Sequence, residues 1–391
     1  MKYDIILEKL RDLPIFKLSL GSKELFHSNF LEYLWEVDHR LFLNIINRLL
    51  PKGEYLLEDG YELSRELENF DLCLYHNSKS PIYDLIIENK VKSIPFKEQL
   101  KEYKVKAEKS LTPPHFLLLS LVENFPDCEE LEKVENYKEY GHWHIVHYNQ
   151  LREAIEQEKE LWPTTKDRTY IEDYCAFIDL LHQLQQEILK DIETQPLFVD
   201  VETFKRYRLH DLYIKLRISY FLIKLKQRLE AEQVGSVSFL KNHGDIRGKY
   251  KEPGIYLNQN IFRSVGQIAA FIYKSHDDKG DIHEIVIQGD QYRHGINSQE
   301  RGNKGKEKVD SQNRLWESIQ QRPSELDFLN NIFSGVETLP KTAKTSKKVQ
   351  KVGPFNGYNH DYVYRYVKCD KMTVNELLDI MATDVKQKFE K

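Results

Sequence analysis

Leu25, Phe26, Phe30, Leu31, Leu34 and Trp35 recur at helical spacing, which predicts a helix starting at Lys23 and capped by Ser22. A second helix is predicted from Arg40 to Leu50, where Pro51 stops it. The segments FDLCLYH (70–76) and IYDLIIENKV (82–91) read as two strands around the polar turn Asn77–Pro81. A helix from Pro95 to about Ser110 follows, ended by Pro113-Pro114; FLLLSLV (116–122) and HWHIVHY (142–148) read as strands, with a helix from Asn149 onward. This order predicts an α/β core, a mixed sheet flanked by helices, over residues 1–160. Two long helical stretches, 166–195 and 203–232, place a helical connector over 161–234. Beyond Gly235 the pattern turns aromatic and β-branched, in GIYLNQNIFR (254–263), IAAFIYK (268–274), HEIVIQGDQYRH (283–294) and DYVYRYVK (361–368), with DDKGD (277–281) as a hairpin turn. That texture predicts a C-terminal α+β domain over 235–391, a candidate for nucleic-acid binding or sensing.

The 391 residues suffice for two or three cores. No apolar run approaches the ~18–20 residues of a membrane span. The start, MKYDIILEKLRDLPIF, is too charged for a signal peptide, and four dispersed cysteines fit neither a disulfide framework nor a zinc ribbon. A cytoplasmic protein is the expectation. The net charge of −5 conceals a gradient: residues 1–153 and 154–200 each carry −7, and residues 201–391 carry +9. A polyanionic partner would therefore lean on the second half. There the predicted helix 203–230 carries two cationic stripes: Lys205, Arg208, Lys215 and Lys226, then Arg206, Arg217, Lys224 and Arg228. They are either snorkelling cations of a buried helix or phosphate contacts. Lys341, Lys344, Lys347, Lys348 and Lys351 mark a basic linker, either a solvated tether or a contact for a nucleic-acid backbone. No internal repeat occurs, and no phosphate-binding GxxxxGK[ST] loop.

Candidate chemistry concentrates in the hairpin. Glu88 and Lys90 are two apart on a strand and leave the same face. With the turn centred near 79–80, opposed residue numbers add to about 159, which puts Asp71 opposite Glu88. Directly opposed residues have Cβ atoms ~4.5–5.5 Å apart, and two carboxylates that close call for a cation between them. A hard divalent ion with a lysine beside it suits phosphodiester hydrolysis. Asp84 is a rival acid on the same face as Glu88, two pleats away. Gln99 lies on the following helix, one turn before Tyr103. His142, His144 and His147 alternate with Trp143 and Ile145 as at an ordinary strand edge, and KNHGDIRG (241–248) reads as a loop.

FD (70–71), IIENKV (86–91) and EQLKEY (98–103), preceded by the helical E-x-x-x-S element Glu24–Ser28, resemble the core of the PD-(D/E)XK nuclease superfamily, and in particular a bacterial branch marked by IENK followed by QLxxY. HWHIVHYNQL is similar to that family's tryptophan-containing strand leading into a helix, and the likeness covers residues 20–155. The resemblance implies a restriction-endonuclease-like fold. Asp71 and Glu88 would be metal ligands together with the Asn89 backbone carbonyl, and Glu24 an auxiliary acid and ligand. Lys90 would be the water-activating or transition-state-stabilising lysine, and Gln99 a positioning residue. It implies Mg²⁺, with Mn²⁺ as a substitute, and cleavage of nucleic acid, foremost double-stranded DNA, in defence against foreign DNA. An RNA-directed nuclease and a degenerate nuclease fold that only binds nucleic acid or scaffolds remain open, as do a homo-oligomer and a defence-system partner protein.

Overall fold

A computed structural model describes residues 3–19, 23–51, 56, 60–76, 82–91, 97–107, 113–122, 141–240, 253–262, 265–274, 282–297, 314–332, 344–345, 350–352 and 362–390. Outside them lie Ser22, the turn Asn77–Pro81, Cys128, the segments 241–248 and 277–281, and Lys341, Lys347 and Lys348. The chain divides into two compact units: Met1–Lys190 with Phe204–Leu212, and Asp191–Thr203 with Tyr213–Lys391. The helices of 161–234 are thus shared between the two units.

The first unit opens on α1 (Asp4–Asp12), α2 (Pro14–Leu18), α3 (Lys23–Val37) and α4 (His39–Leu49). Asp38 sets the start of α4, its Oδ1 accepting from the N–H groups of Arg40 (2.8 Å) and Leu41 (3.2 Å). A five-stranded sheet follows in the order β1 (Tyr61–Ser64), β2 (Leu72–His76), β3 (Ile82–Lys90), β4 (His115–Ser120) and β5 (Trp143–His147). β1, β2 and β3 are antiparallel, whereas β3, β4 and β5 are parallel, so the sheet is mixed. The parallel pair β3–β4 needs a crossover, and α5 (Lys97–Ala107) lies on it. β3 and β4 are buried almost throughout, which explains their near-continuous apolar sequences. α6 (Tyr148–Gln157) leaves β5 directly, and α7 (Lys166–Leu189) packs against α1, α2 and α6.

The β2–β3 register is Leu72↔Ile87, Cys73↔Ile86 and Leu74↔Leu85, the pairing the hairpin arithmetic predicts. Beyond Leu74 it slips by one, to Tyr75↔Tyr83, and Asp84 is the residue left over in the bulge.

The predicted helix 203–230 is broken. α8 (Val201–Arg206) ends where the Leu209 N–H reaches the Phe204 carbonyl and the Arg208 N–H the Lys205 carbonyl, both at 3.0 Å. This is a Schellman closure with Arg208 at φ +55° in the place glycine usually takes. α9 (His210–Ala231) restarts the helix.

In the second unit, β6 (Val237–Phe239), β7 (Gly254–Phe262), β8 (Val265–Tyr273), β9 (Ile282–Gln288) and β10 (Gln291–Asn297) are followed by α10 (Pro323–Asn330). β11 (Lys344–Thr345), β12 (Gln350–Val352), β13 (Tyr362–Lys368) and α11 (Val374–Glu390) complete it. The sheet runs β11–β13–β10–β9–β8–β7–β6, with β12 also on β13. The aromatic and β-branched segment 283–294 lies in a hairpin, β9 and β10, turning at Gly289 (φ +56°) and Asp290. The basic linker is not a plain tether either, since β11 and β12 pair with β13.

The cationic stripes of 203–230 are divided: Lys205, Arg206, Arg208 and Lys224 are exposed, whereas Arg217 and Lys226 are buried. The fully buried Arg217 donates from Nε to the Leu197 carbonyl (2.8 Å) and from Nη2 to the Pro196 carbonyl (2.9 Å). Lys226 is buried as well, reaching Glu230 at 3.4 Å over the Phe239 ring. Gly295 lies against Tyr362, so close that a Cβ would sit 2.3 Å from the ring. Gly295→Ala is therefore expected to cost the second unit about 1–3 kcal/mol in a denaturant titration through overpacking.

Candidate active site

The hairpin delivers the acids as its register requires. One step beyond Leu72↔Ile87, Asp71 meets the end of β3, and its Oδ2 accepts the Asn89 backbone N–H at 2.7 Å. Glu88 is 0% exposed, an uncommon place for a carboxylate. Its Oε1 accepts from Gln99 Nε2 at 2.7 Å and forms an ion pair with Lys90 Nζ. Its Oε2 is buried and, among the described residues, has no hydrogen-bond partner.

Electrostatics follow from this crowding. Burial, then the charge of Glu88, pushes the Asp71 carboxyl up to about 7, against the opposing pull of the Asn89 N–H and Lys90. Burial alone would lower the Lys90 pKa, but Glu88, Glu24 and Asp71 outweigh it and hold the ammonium above its ordinary value. Burial, then Glu88, raises the Tyr103 phenol, which stays protonated as a donor.

α5 and α3 brace the site. Gln99 Nε2 also donates to Tyr103 Oη (3.0 Å), and that hydroxyl donates to the Asn69 carbonyl (2.8 Å). On the opposite face of β3, Asn89 is fully buried, donates from Nδ2 to Ser28 Oγ on α3 (2.5 Å) and accepts from Tyr148 Oη at 3.5 Å. The strand is thus pinned at Asn89, between Glu88 and Lys90.

The loop entering Asp71 is unusual. Glu66, Glu68 and Asn69 have φ of 58°, 51° and 69°, left-handed values reached without a glycine. Each such residue costs about 1 kcal/mol or more unless its surroundings hold it.

The structure therefore brings together Asp71, Glu88, Lys90 and Gln99. Glu24, in the first turn of α3, acts electrostatically on Lys90 but does not join Asp71 and Glu88 as a third carboxylate of one cluster. Among the described residues no group of three or more His, Cys, Asp or Glu side chains is gathered for a metal. Asp84 pairs instead with His76 (3.7 Å). His142 and His144 line a shallow pocket of about 200 Å³ with Pro113 and Pro114, and His147 enters the capping box of α6. Cys73, Cys175 and Cys369 are buried free thiols.

Sequence reasoning missed Lys106, whose Nζ donates to the Glu68 carbonyl at 2.7 Å, and Tyr148. Only the chain reversal brings these to the site; no local spacing signals them.

A divalent metal fits this donor set. The set is all oxygen, and among the described residues one of its buried carboxylate oxygens lacks a partner. No helix among the described residues is long and apolar enough to cross a membrane. No curated protein and no solved structure matches the chain significantly. Residues 15–176 match the model of the PD-(D/E)XK nuclease superfamily, a span that holds Glu24, Asp71, Glu88, Lys90 and Gln99, and this part of the chain is accordingly a PD-(D/E)XK nuclease superfamily domain.

Proposed function

We propose that the protein is a Mg²⁺-dependent endonuclease acting on double-stranded DNA in the cytoplasm, and that it serves defence against foreign DNA. The observation that carries the catalytic reading is the partnerless, buried Oε2 of Glu88 beside an Asp71 that burial keeps protonated up to about pH 7. A scaffold has no use for two such carboxylates. Asp71, Glu88 and the Asn89 carbonyl would hold the ion. When bound, the metal supplies charge to neutralise the carboxylates and to acidify a water nucleophile. Gln99 and Lys90 fix Glu88 Oε1 and leave Oε2 presented, while the Asn89 N–H orients Asp71. Lys90, paired with Glu88, would act as a cation on the phosphate.

Incubating the full chain with plasmid, linear duplex, single strands and RNA tests this. Duplex cleavage is expected with Mg²⁺ or Mn²⁺ and none with chelator. Ca²⁺ is expected to support binding without cutting, because its looser shell positions water poorly. Cleavage of RNA alone would reassign the substrate, and binding without cleavage under every condition would return the domain to a scaffold role.

The proton on Asp71 competes with the metal. Apparent Mg²⁺ affinity is expected to fall about tenfold per pH unit below about 7 and to level off above it. Calorimetric titrations at pH 5.5, 6.5, 7.5 and 8.5 would show this, and a flat profile would place the metal elsewhere.

A further inference from the structure

The left-handed run Glu66–Asn69 ends two residues before Asp71, and none of its strained positions is a glycine. Two of its carbonyls are taken by side chains from one helix: Tyr103 Oη donates to the Asn69 carbonyl at 2.8 Å, and Lys106 Nζ donates to the Glu68 carbonyl at 2.7 Å. The next residue, Phe70, is fully buried with its ring edge-on to Tyr103 (5.0 Å) and the Lys106 ammonium 5.9 Å from its centroid. The Asn69 side chain is exposed. Strained backbone of this kind persists only where its surroundings over-determine it.

We propose that Tyr103 and Lys106 are positioning residues that clamp this glycine-free turn and thereby aim the Asp71 carboxylate at Glu88. The clamp sits on α5, which also supplies Gln99 to Glu88 Oε1, so one helix sets both acids at once. Lys106 is the informative member, because among the described residues it bonds neither Glu88 nor Gln99; it holds the Glu68 carbonyl and lies over the Phe70 and Tyr103 rings. The inference rests on the nuclease reading for its activity readout but not for its structural one.

The test uses the full chain with Tyr103→Phe, Lys106→Met and the pair combined, each with and without glycines at positions 68 and 69. Glycine takes left-handed φ without penalty, so a glycine turn no longer needs the clamp. Lys106→Met is expected to lower kcat for DNA cleavage at least tenfold, with KM within twofold and Mg²⁺ bound several-fold more weakly. Glu68→Gly and Asn69→Gly together are expected to restore most of the loss. Unchanged kcat in both clamp variants, or a loss that glycine does not reverse, overturns the proposal. Amide hydrogen exchange over 66–71 supplies a readout independent of activity. It is expected to quicken at least tenfold in Lys106→Met, and unchanged exchange overturns the clamp. Quickened exchange in a protein that cuts no nucleic acid would instead keep the clamp and remove the nuclease reading.

Discussion

Asp71→Asn is expected to make the protein more stable and catalytically dead. In the wild type the Asp71 carboxyl is pushed up to about 7 by burial and by Glu88. A carboxyl whose folded pKa exceeds its unfolded one favours folding below the unfolded value, near 4, and loses that contribution as pH rises through about 7. A displacement of this size corresponds to at most about 4 kcal/mol. The pull of Lys90 is already contained in that value, and the asparagine amide bears a burial cost of its own, so a gain of about 2 kcal/mol at pH 8 is the expectation. Asparagine retains an oxygen for the Asn89 N–H and brings an amide that can donate to the orphaned Glu88 Oε2. Denaturant titrations at pH 5 and pH 8 should show the larger gain at the higher pH. Mg²⁺ should then raise the melting temperature of the wild type but not of Asp71→Asn, with cleavage lost. A destabilised variant at pH 8 would mean that the two acids do not repel.

Lys90→Met is expected to be damaging in both respects. Glu88 is buried and Lys90 is its ion-pair partner, 12% exposed at the side chain. Removing one member of a buried pair leaves an uncompensated charge, at a cost of about 3–5 kcal/mol. Cleavage should fall by about 10³-fold, the scale for losing one aimed electrostatic group. Lys90→Arg should recover most of the stability but little of the rate, since a planar fork does not replace a point charge. Adding Glu88→Gln to Lys90→Met should recover stability without activity. If Lys90→Met cuts near the wild-type rate, the lysine has no part in the chemistry.

The sheet that carries the acids was legible because its information is local. A short turn and strict alternation fix which residues oppose, and Leu72↔Ile87 to Leu74↔Leu85 pair as counting demands. Counting fails beyond Leu74, where the bulge at Asp84 shifts the register; no glycine or proline marks it. The same kind of silence hid the break at Arg208, where an arginine occupies a left-handed position. Gly289-Asp290 did carry a signal, a two-residue turn between alternating strands that was read through as one segment. The braces Ser28–Asn89 and Lys106–Glu68 join residues 61 and 38 apart, and nothing in a one-dimensional pattern pairs them.

The chain passes from the first unit into the second at residue 191, back at 204, and out again at 213. Phe204 is fully buried and meets the Tyr3 ring at 5.1 Å, while the Gln195 carbonyl accepts the Val374 N–H at 2.9 Å. Neither unit is a contiguous cassette. During synthesis the first unit lacks its last segment until Leu212 has been made, by which time the first strip of its neighbour already exists. Recombination at any single point between the two would sever one of these threads.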